Sequence, residues 1–264
     1  MTPAVRAIVL GGLDADALLW QKAVVAAGGA LSSSRLSLVS QTVRRLKQGG
    51  VWANLDRLWL FAAENSTQAL IDLKARAVAT AVNSPTFTAS RGFAGDGATA
   101  YIDTGFNPAT AGGNYVRDDA CEGAWVETAQ TASASAHHYM SYDEAIYTYI
   151  RQTNTTAYSF GVNNAAGDTS YTFVTQTGAW HAQRTASNAY ALYQNGVSVQ
   201  TGALTSAAVS SRNFFVLAGN NGGAPYLPTD GRLSGAWLGK SLTVGQLAAF
   251  YAAMRAYMTA VGVA

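Results

Sequence analysis

Paired carboxylates are the first chemistry to look for, because hydrolysis of a glycosidic bond uses two acidic side chains that flank the scissile bond. Retaining enzymes hold these two groups about 5 Å apart, commonly on one strand in an acid-x-acid pattern. The chain has four glutamates, Glu64, Glu122, Glu127 and Glu144. Glu122 and Glu127 are five residues apart, so on a regular strand they point to opposite faces. The pattern therefore predicts that the chain is not an enzyme.

Oxygen ligands for a calcium ion are the second candidate chemistry. Asp96, Asp103 and Asn107 supply the carboxylate and amide oxygens that calcium prefers. The alternative, which we favour, is turn formation, because Asp and Asn hydrogen-bond their own backbone in turns. His137 and His138 are adjacent, and neighbouring strand residues point apart, so they do not predict a shared metal site. Apart from calcium, the sequence predicts no cofactor.

Aromatic rings beside polar groups are the third candidate chemistry. A sugar packs its C–H edge on a ring and hydrogen-bonds its hydroxyls to nearby amides or carboxylates. One tyrosine follows an Asn- and Gly-rich loop, and one tryptophan lies in a polar stretch. The candidate ligand-binding residues are Trp125, Tyr226, Asn220, Asn221 and Asp230. The alternative is that the aromatic residues are ordinary strand residues, since strands favour tyrosine.

The composition argues against several other functions. Charged residues make up 12% of the 264 residues and the net charge is +2, which is not the basic footprint of a nucleic-acid-binding domain. The sequence contains no apolar run long enough to span a bilayer, so we expect no membrane insertion. Cys121 is the single cysteine, which rules out an internal disulfide and predicts a small buried hydrophobe.

The first fifty residues show a helical pattern with two starts and an apolar stripe at three- and four-residue steps. The residues of this stripe are Leu36, Val39, Val43 and Leu46. Such a stripe must pack on something, either the chain's own β-domain or a partner subunit. We predict a helical segment over residues 1–50 that serves in docking or attachment.

From about residue 85 to about residue 240, strand-like runs alternate with turn signals. The clearest signal is Asn195-Gly196, which suits a type I′ hairpin because both residues adopt positive φ at low cost. Many short strands without long helices between them indicate an antiparallel sandwich. Thr243 and Gln246 fit a capping box that opens a C-terminal helix. We predict one sandwich domain over residues 51–264.

Five segments resemble, in the same order, strand pairs of the concanavalin A-like and laminin-G-like superfamily. These segments are Phe93–Gly105, Trp180-His181, Leu192–Gly196, Gly231–Ala236 and Ser241–Gln246. The resemblance implies a mainly β, two-sheet antiparallel jelly-roll sandwich with an N-terminal helical segment and a C-terminal helix. Gly235-Ala236 replaces the acidic residue that the superfamily usually carries there, so no ligand or calcium site is carried over.

A narrower resemblance covers residues 50–108. Its segments are Gly50–Trp52, Leu55–Trp59, Phe61–Asn65, Val82–Phe87, Gly92–Gly97 and Asp103–Pro108. They resemble proteins of bacterial phages and prophages that are associated with tails, spikes or fibres. This resemblance implies a virion component that is made in the bacterial cytoplasm and released by lysis.

These observations lead to one main expectation and two alternatives. We expect a virion structural protein with a lectin-like domain that binds host cell-surface polysaccharide during adsorption. We also expect a homo-oligomer with other virion proteins as partners, because virion appendages are usually symmetric. The first alternative is particle decoration, or a fibre or spike connector, without a glycan site. The second is a polysaccharide-degrading enzyme.

Overall fold

The computed structural model describes residues 12–131, 136–143, 146–154, 156–167 and 169–263. The side chains of Tyr142 and Tyr147 lie outside the description. So do Glu144 and residues 1–11 of the predicted docking segment.

Helices lie at both ends of the described chain. The α-helices are α1 (Ala15–Ala26), α2 (Ser33–Gln48), α3 (Ser66–Leu70), α4 (Pro108–Ala111) and α5 (Val244–Ala260), and a 3₁₀ turn spans Trp52–Asn54. Asp14 and Ser32 cap α1 and α2 by accepting backbone N–H groups of the first turn. The predicted capping box between Thr243 and Gln246 is present at the start of α5. None of the helices in the described ranges is long and apolar enough to cross a membrane.

The strands form two large sheets, and every pair of named strands is antiparallel. The eight-stranded sheet contains β1 (Leu55–Trp59), β3 (Thr86–Thr88), β4 (Gly92–Ala94), β6 (Ala120–Thr128), β11 (Gly178–Ala186), β12 (Ala189–Gln194), β13 (Val197–Gly202) and β17 (Arg232–Gly239). Its order is β13-β12-β11-β6-β17-β4-β3, and β1 also pairs with β17.

The second sheet has seven strands in the order β10-β9-β8-β7-β14-β5-β2. They are β2 (Thr80–Val82), β5 (Tyr101–Asp103), β7 (His137–Asp143), β8 (Ile146–Gln152), β9 (Ala157–Asn164), β10 (Thr169–Thr172) and β14 (Phe215–Val216). A small hairpin of β15 (Gly219–Asn221) and β16 (Ala224–Tyr226) completes the strands. The predicted class, a mainly β two-sheet antiparallel sandwich with terminal helices, is confirmed.

The eight-stranded sheet is buried on both faces, and the alternation along β6 shows this. Ala124 and Val126 lie in the core between the two sheets. Cys121 and Trp125 lie in a second core that the helices share with the opposite face of the same sheet. The prediction that Cys121 is a buried hydrophobe is therefore confirmed, because none of it is exposed.

The N-terminal helices pack on the chain itself. All four residues of the predicted α2 stripe are buried, in the same core as Leu247, Phe250 and Met254 of α5. Of the two predicted alternatives, this stripe therefore packs on the chain itself and not on a partner subunit. The outermost helix, α1, buries Trp20 and leaves Leu19 45% exposed.

The predicted hairpin at Asn195-Gly196 joins β12 to β13. Both residues have positive φ, +52° at Asn195 and +78° at Gly196, as a type I′ turn requires. The Asn195 side chain also accepts a hydrogen bond from the Ala179 N–H at 2.9 Å. This bond ties the turn to the neighbouring strand β11.

Candidate functional site

Tyr226 lies at the end of the β15–β16 hairpin, which packs against β7 of the seven-stranded sheet. Tyr139 and Ile150 of this sheet face the core between the sheets. The Tyr226 ring instead lies 5.8 Å from the ring of His138, on the opposite face of β7. The hairpin therefore places Tyr226 on the outer face of the sandwich.

Strand register sets a row of polar side chains across this outer face. His138 on β7 is opposite Arg151 on β8, and Arg151 is opposite Ser159 on β9. Ser159 is in turn opposite Ser170 on β10. Directly opposed residues share a face of a sheet. The row thus runs through four adjacent strands without a break.

Tyr149 lies two residues before Arg151 and shares its face. The Arg151 guanidinium carbon lies 4.8 Å from the centre of the Tyr149 ring, within the range of a cation–π contact. His138 meets the same ring edge-on at 5.2 Å. We call these residues the outer-face cluster: Tyr226, His138, Tyr149, Arg151, Ser159 and Ser170.

Hydroxyl groups continue the outer-face cluster away from the rings. Ser159 Oγ lies 3.1 Å from Ser170 Oγ and 2.8 Å from Thr153 Oγ1. Ser159 is 1% exposed, whereas Ser170 lies at the surface. Arg151 and Tyr226 are half-buried. The cluster thus brings a ring, a guanidinium and hydroxyls together on the outer face of the sheet.

The charge of the outer-face cluster comes from Arg151. Burial, together with the positive charges of Arg151 and His137, holds the pKa of His138 well below its usual range. His138 is therefore neutral at physiological pH and supports Tyr226 without adding charge. The neutral imidazole lies between the rings of Tyr149 and Tyr226 and so joins the hairpin to the sheet.

The asparagines of the hairpin have different roles. Asn220 is 3% exposed, and its side chain donates to Asn213 O and accepts from Gly223 N–H, both at 2.8 Å. It stabilises the turn, so it is not available to a ligand. Asn221 is half-buried beside the exposed Gly222, so it lies at the tip of the hairpin.

Trp125 is not at the surface, so the prediction that it contacts a ligand is wrong. The side chain is fully buried and stacks on Tyr251 of α5, with ring centres 6.0 Å apart and planes 7° apart. The reason is the β6 alternation, which points Trp125 toward the helices. Of the acidic residues near it in sequence, Glu122 faces the other sheet and Glu127 pairs with Arg91.

Asp230 is exposed, as expected, but its carboxylate accepts hydrogen bonds from the backbone N–H and the hydroxyl of Thr131. These bonds tie together the loops before β7 and β17. The structure therefore gives Asp230 a local role outside the outer-face cluster.

The three calcium candidates all make local hydrogen bonds of the turn type. Asp96 accepts from the backbone of Ala98, Thr99 and Ala100, and these bonds outweigh the effect of burial and lower its pKa. Asp103 accepts from the Gly105 N–H at 2.8 Å, and Asn107 caps α4 through the Ala109 N–H. In the described part of the chain, no three His, Cys, Asp or Glu side chains form a metal-binding group.

The two glutamates of β6 point to opposite faces, as predicted. Glu122 is fully buried between the sheets, where Ser141 Oγ donates to Glu122 Oε2 at 2.7 Å. Burial raises the pKa of Glu122 to about 8 despite this bond, so it is protonated at neutral pH. Glu127 instead pairs with Arg91 at 3.2 Å on the other face.

The sequence analysis missed Arg151, Ser159 and Ser170. A signal for Arg151 exists, because Tyr149 and Arg151 alternate with Thr148 and Ile150 as in a strand with one outer face. The two serines carry no such signal. Their place beside Arg151 depends on strand register, which only the folded chain reveals.

No protein-family model matches the chain, and no curated protein matches it. Solved structures do match. A mutant of Trypanosoma rangeli sialidase displaying trans-sialidase activity has a TM-score of 0.53 and 12% identity, covering 85% of this chain and 40% of the sialidase. The botulinum neurotoxin serotype D ligand binding domain in complex with N-acetylneuraminic acid has a TM-score of 0.51 and 11% identity, covering 79% of this chain and 52% of the toxin chain.

These matches show a shared β-sandwich fold, and the chain spans about half or less of each matched protein. They also correct the expectation that the chain is not an enzyme. Sialidase and trans-sialidase chains contain this fold, so the fold gives no ground for excluding catalysis. At 12% identity the likeness assigns no catalytic residue.

Proposed function

We propose that this chain is a virion protein whose sandwich binds a host cell-surface glycan through the outer-face cluster. The observation that carries the proposal is the Arg151–Tyr149 pair, with Tyr226 on one side and the hydroxyls of Ser159 and Ser170 on the other. Rings, a guanidinium and hydroxyls are the groups that sugar recognition requires.

In this proposal, different side chains of the outer-face cluster contact different parts of a sugar. Tyr226 offers a half-exposed ring for the C–H edge of a sugar. Arg151 on β8 and Ser170 on β10, two strands separated by β9, supply hydrogen bonds to sugar hydroxyls. The complex of a similar toxin domain with N-acetylneuraminic acid supports a glycan as the ligand class.

The virion setting rests on the resemblance of residues 50–108 to phage and prophage proteins. In this setting the chain is a homo-oligomer held by other virion proteins, in a tail fibre or a head spike, and the sandwich faces the host.

A second candidate is a structural role in decorating the particle or connecting a fibre or spike. The outward face of α1 favours it, because Leu18, Leu19 and Val25 are 37%, 45% and 60% exposed. A helix that is apolar on both sides usually packs on both sides. This face suits a contact with a neighbouring virion protein.

Binding to host cells tests the proposal. Labelled protein is incubated with candidate bacterial hosts before and after their surface polysaccharide is stripped, and released sugars are analysed in parallel. Saturable binding that disappears with the polysaccharide is the expected result, and released oligosaccharide would add a degrading activity. Binding that survives stripping would contradict the glycan as ligand, whereas absence of saturable binding to every host would favour the structural role.

A further inference from the structure

A separate cavity lies on the helical side of the molecule, where the N-terminus of α2 meets the C-terminus of α5. It has a volume of about 320 Å³ and is lined by Ser34, Arg35, Leu38, Glu64, Ala260 and Val261. This volume is at the lower end of the range for small-molecule sites, about 300–1,000 Å³, and suits a molecule the size of a monosaccharide. The residues of the outer-face cluster do not line it.

Arg35 gives this cavity a buried positive charge. The side chain is 8% exposed, and it donates to Ala62 O at 2.6 Å, Tyr257 Oη at 3.0 Å and Ser90 Oγ at 2.9 Å. All three acceptors are neutral. Throughout the described ranges, no acid lies within the 4.0 Å of an ion pair with Arg35. Buried charges in proteins usually have a partner of opposite charge.

Glu64, also in the cavity wall, already has other partners. Its carboxylate accepts from the backbone N–H and hydroxyl of Ser32 and from Gln68 Nε2. These bonds, together with the positive charge of nearby Arg35, outweigh burial and lower the pKa of Glu64, so it is ionised at neutral pH. A carboxylate has about four lone-pair sites, so it can accept one more donor.

We propose that this cavity binds a small carboxylate that carries a hydroxyl or ammonium donor beside it, as acidic monosaccharides and amino acids do. The ligand's carboxylate pairs with Arg35 and the exposed hydroxyl of Ser34, and its donor bonds to Glu64. Leu38 and Val261 pack against its C–H groups. The site is independent of the outer-face cluster.

Titration calorimetry of the full chain tests the site with three probes. Glucuronate and glucose differ at one carbon, where the first has a carboxylate, and valine supplies the amino acid form. We expect saturable binding of glucuronate, of valine or of both, with a dissociation constant of about 1–10 mM, and no binding of glucose. Failure of both carboxylates to bind, or equal binding of glucose, would overturn the proposal.

Two variants locate the binding. Ser34→Glu places a negative charge at the mouth, and an acid in the first turn of α2 favours the helix, so the fold is retained. Arg35→Lys keeps the charge but loses the forked geometry. Each is expected to weaken binding at least tenfold, with unfolding temperatures recorded alongside. Val197→Ala, at a 65% exposed residue on the edge strand β13, is the matched control and leaves binding unchanged. Unchanged affinity in Ser34→Glu would contradict the assignment.

Discussion

One of the contacts between the two sheets is made by a protonated carboxyl group. Glu122 extends from β6 of one sheet to Ser141 on β7 of the other, and both side chains are fully buried. Ser141 has a positive φ of +59°, which is uncommon for a residue with a side chain. This hydrogen bond between the sheets therefore joins a residue with positive φ to a carboxyl group that stays neutral.

Replacing Glu122 by Gln should change how stability depends on pH. Burial raises the pKa of Glu122 from its ordinary value of 4.5 to about 8. Between these values the unfolded chain loses the proton and the folded chain keeps it, so the wild type loses stability as pH rises through this window. The amide stays neutral and removes this loss.

Urea unfolding at pH 5 and at pH 8 measures the effect. The free energy of unfolding of Glu122→Gln minus that of the wild type is expected to be larger at pH 8 than at pH 5. Glu127→Gln, at the partly exposed glutamate of the same strand, serves as control. An equal difference at both pH values would show that Glu122 is ionised in the folded protein.

The sequence correctly predicted that Tyr226 is partly exposed but wrongly predicted the same for Trp125. Tyr226 follows a turn rich in Asn and Gly, and such a turn lies at the surface. Trp125 also has polar neighbours, but its burial depends on α5, which is far away in sequence and covers that face of β6. Local composition does not reveal which face of a strand a distant helix will cover.

At the scale of elements, the stacking of Trp125 on α5 predicts a large loss of stability on truncation. Trp125→Ala should cost about 3–5 kcal/mol, the usual range for a buried tryptophan. Tyr226→Ala, on a half-buried ring, should cost far less. Urea unfolding of both variants makes the comparison, and similar losses would contradict the assignment of Trp125 to the core.

The hairpin between β12 and β13 allows a second test at this scale. Gly196 has a φ of +78°, and a Cβ added there would lie 2.9 Å from Tyr251 Cβ of α5. Gly222 has a φ of +64° and nothing within 4 Å of such an atom. Gly222→Ala should therefore cost about 1 kcal/mol from backbone strain alone. Gly196→Ala should lower the free energy of unfolding by more than Gly222→Ala does, as measured by thermal or urea unfolding. Equal losses in the two variants would mean that the hairpin is not in close contact with α5.

The sequence predicted the elements with strong local signals, namely the helix caps, the Asn195-Gly196 hairpin and the α5 capping box. It did not predict the short strands, such as the two residues of β14. Such strands have little propensity of their own, because their hydrogen bonds come from partners elsewhere in the chain.

At the scale of the whole molecule, one face of the sandwich packs on the helices and the other carries the proposed glycan site. The helices cover the outer side of the eight-stranded sheet, whereas the seven-stranded sheet carries the outer-face cluster beside a short hairpin. The sequence predicted two sheets from turn spacing and resemblance. It could not predict the row from His138 to Ser170, because register across four strands is set by the assembled sheet.

The affinity of matched variants for purified host polysaccharide tests the central claim most directly. The comparison uses wild type, Tyr226→Ala, Arg151→Gln and, as a control on the β13 edge, Val197→Ala at a residue that is 65% exposed. Truncation of an aromatic or arginine residue at the centre of a binding site costs about 2 kcal/mol or more, which is at least a tenfold loss of affinity. We predict such a loss for Tyr226→Ala and Arg151→Gln and none for Val197→Ala, with all four proteins folded. Unchanged affinity in both cluster variants would contradict the outer face as the glycan site.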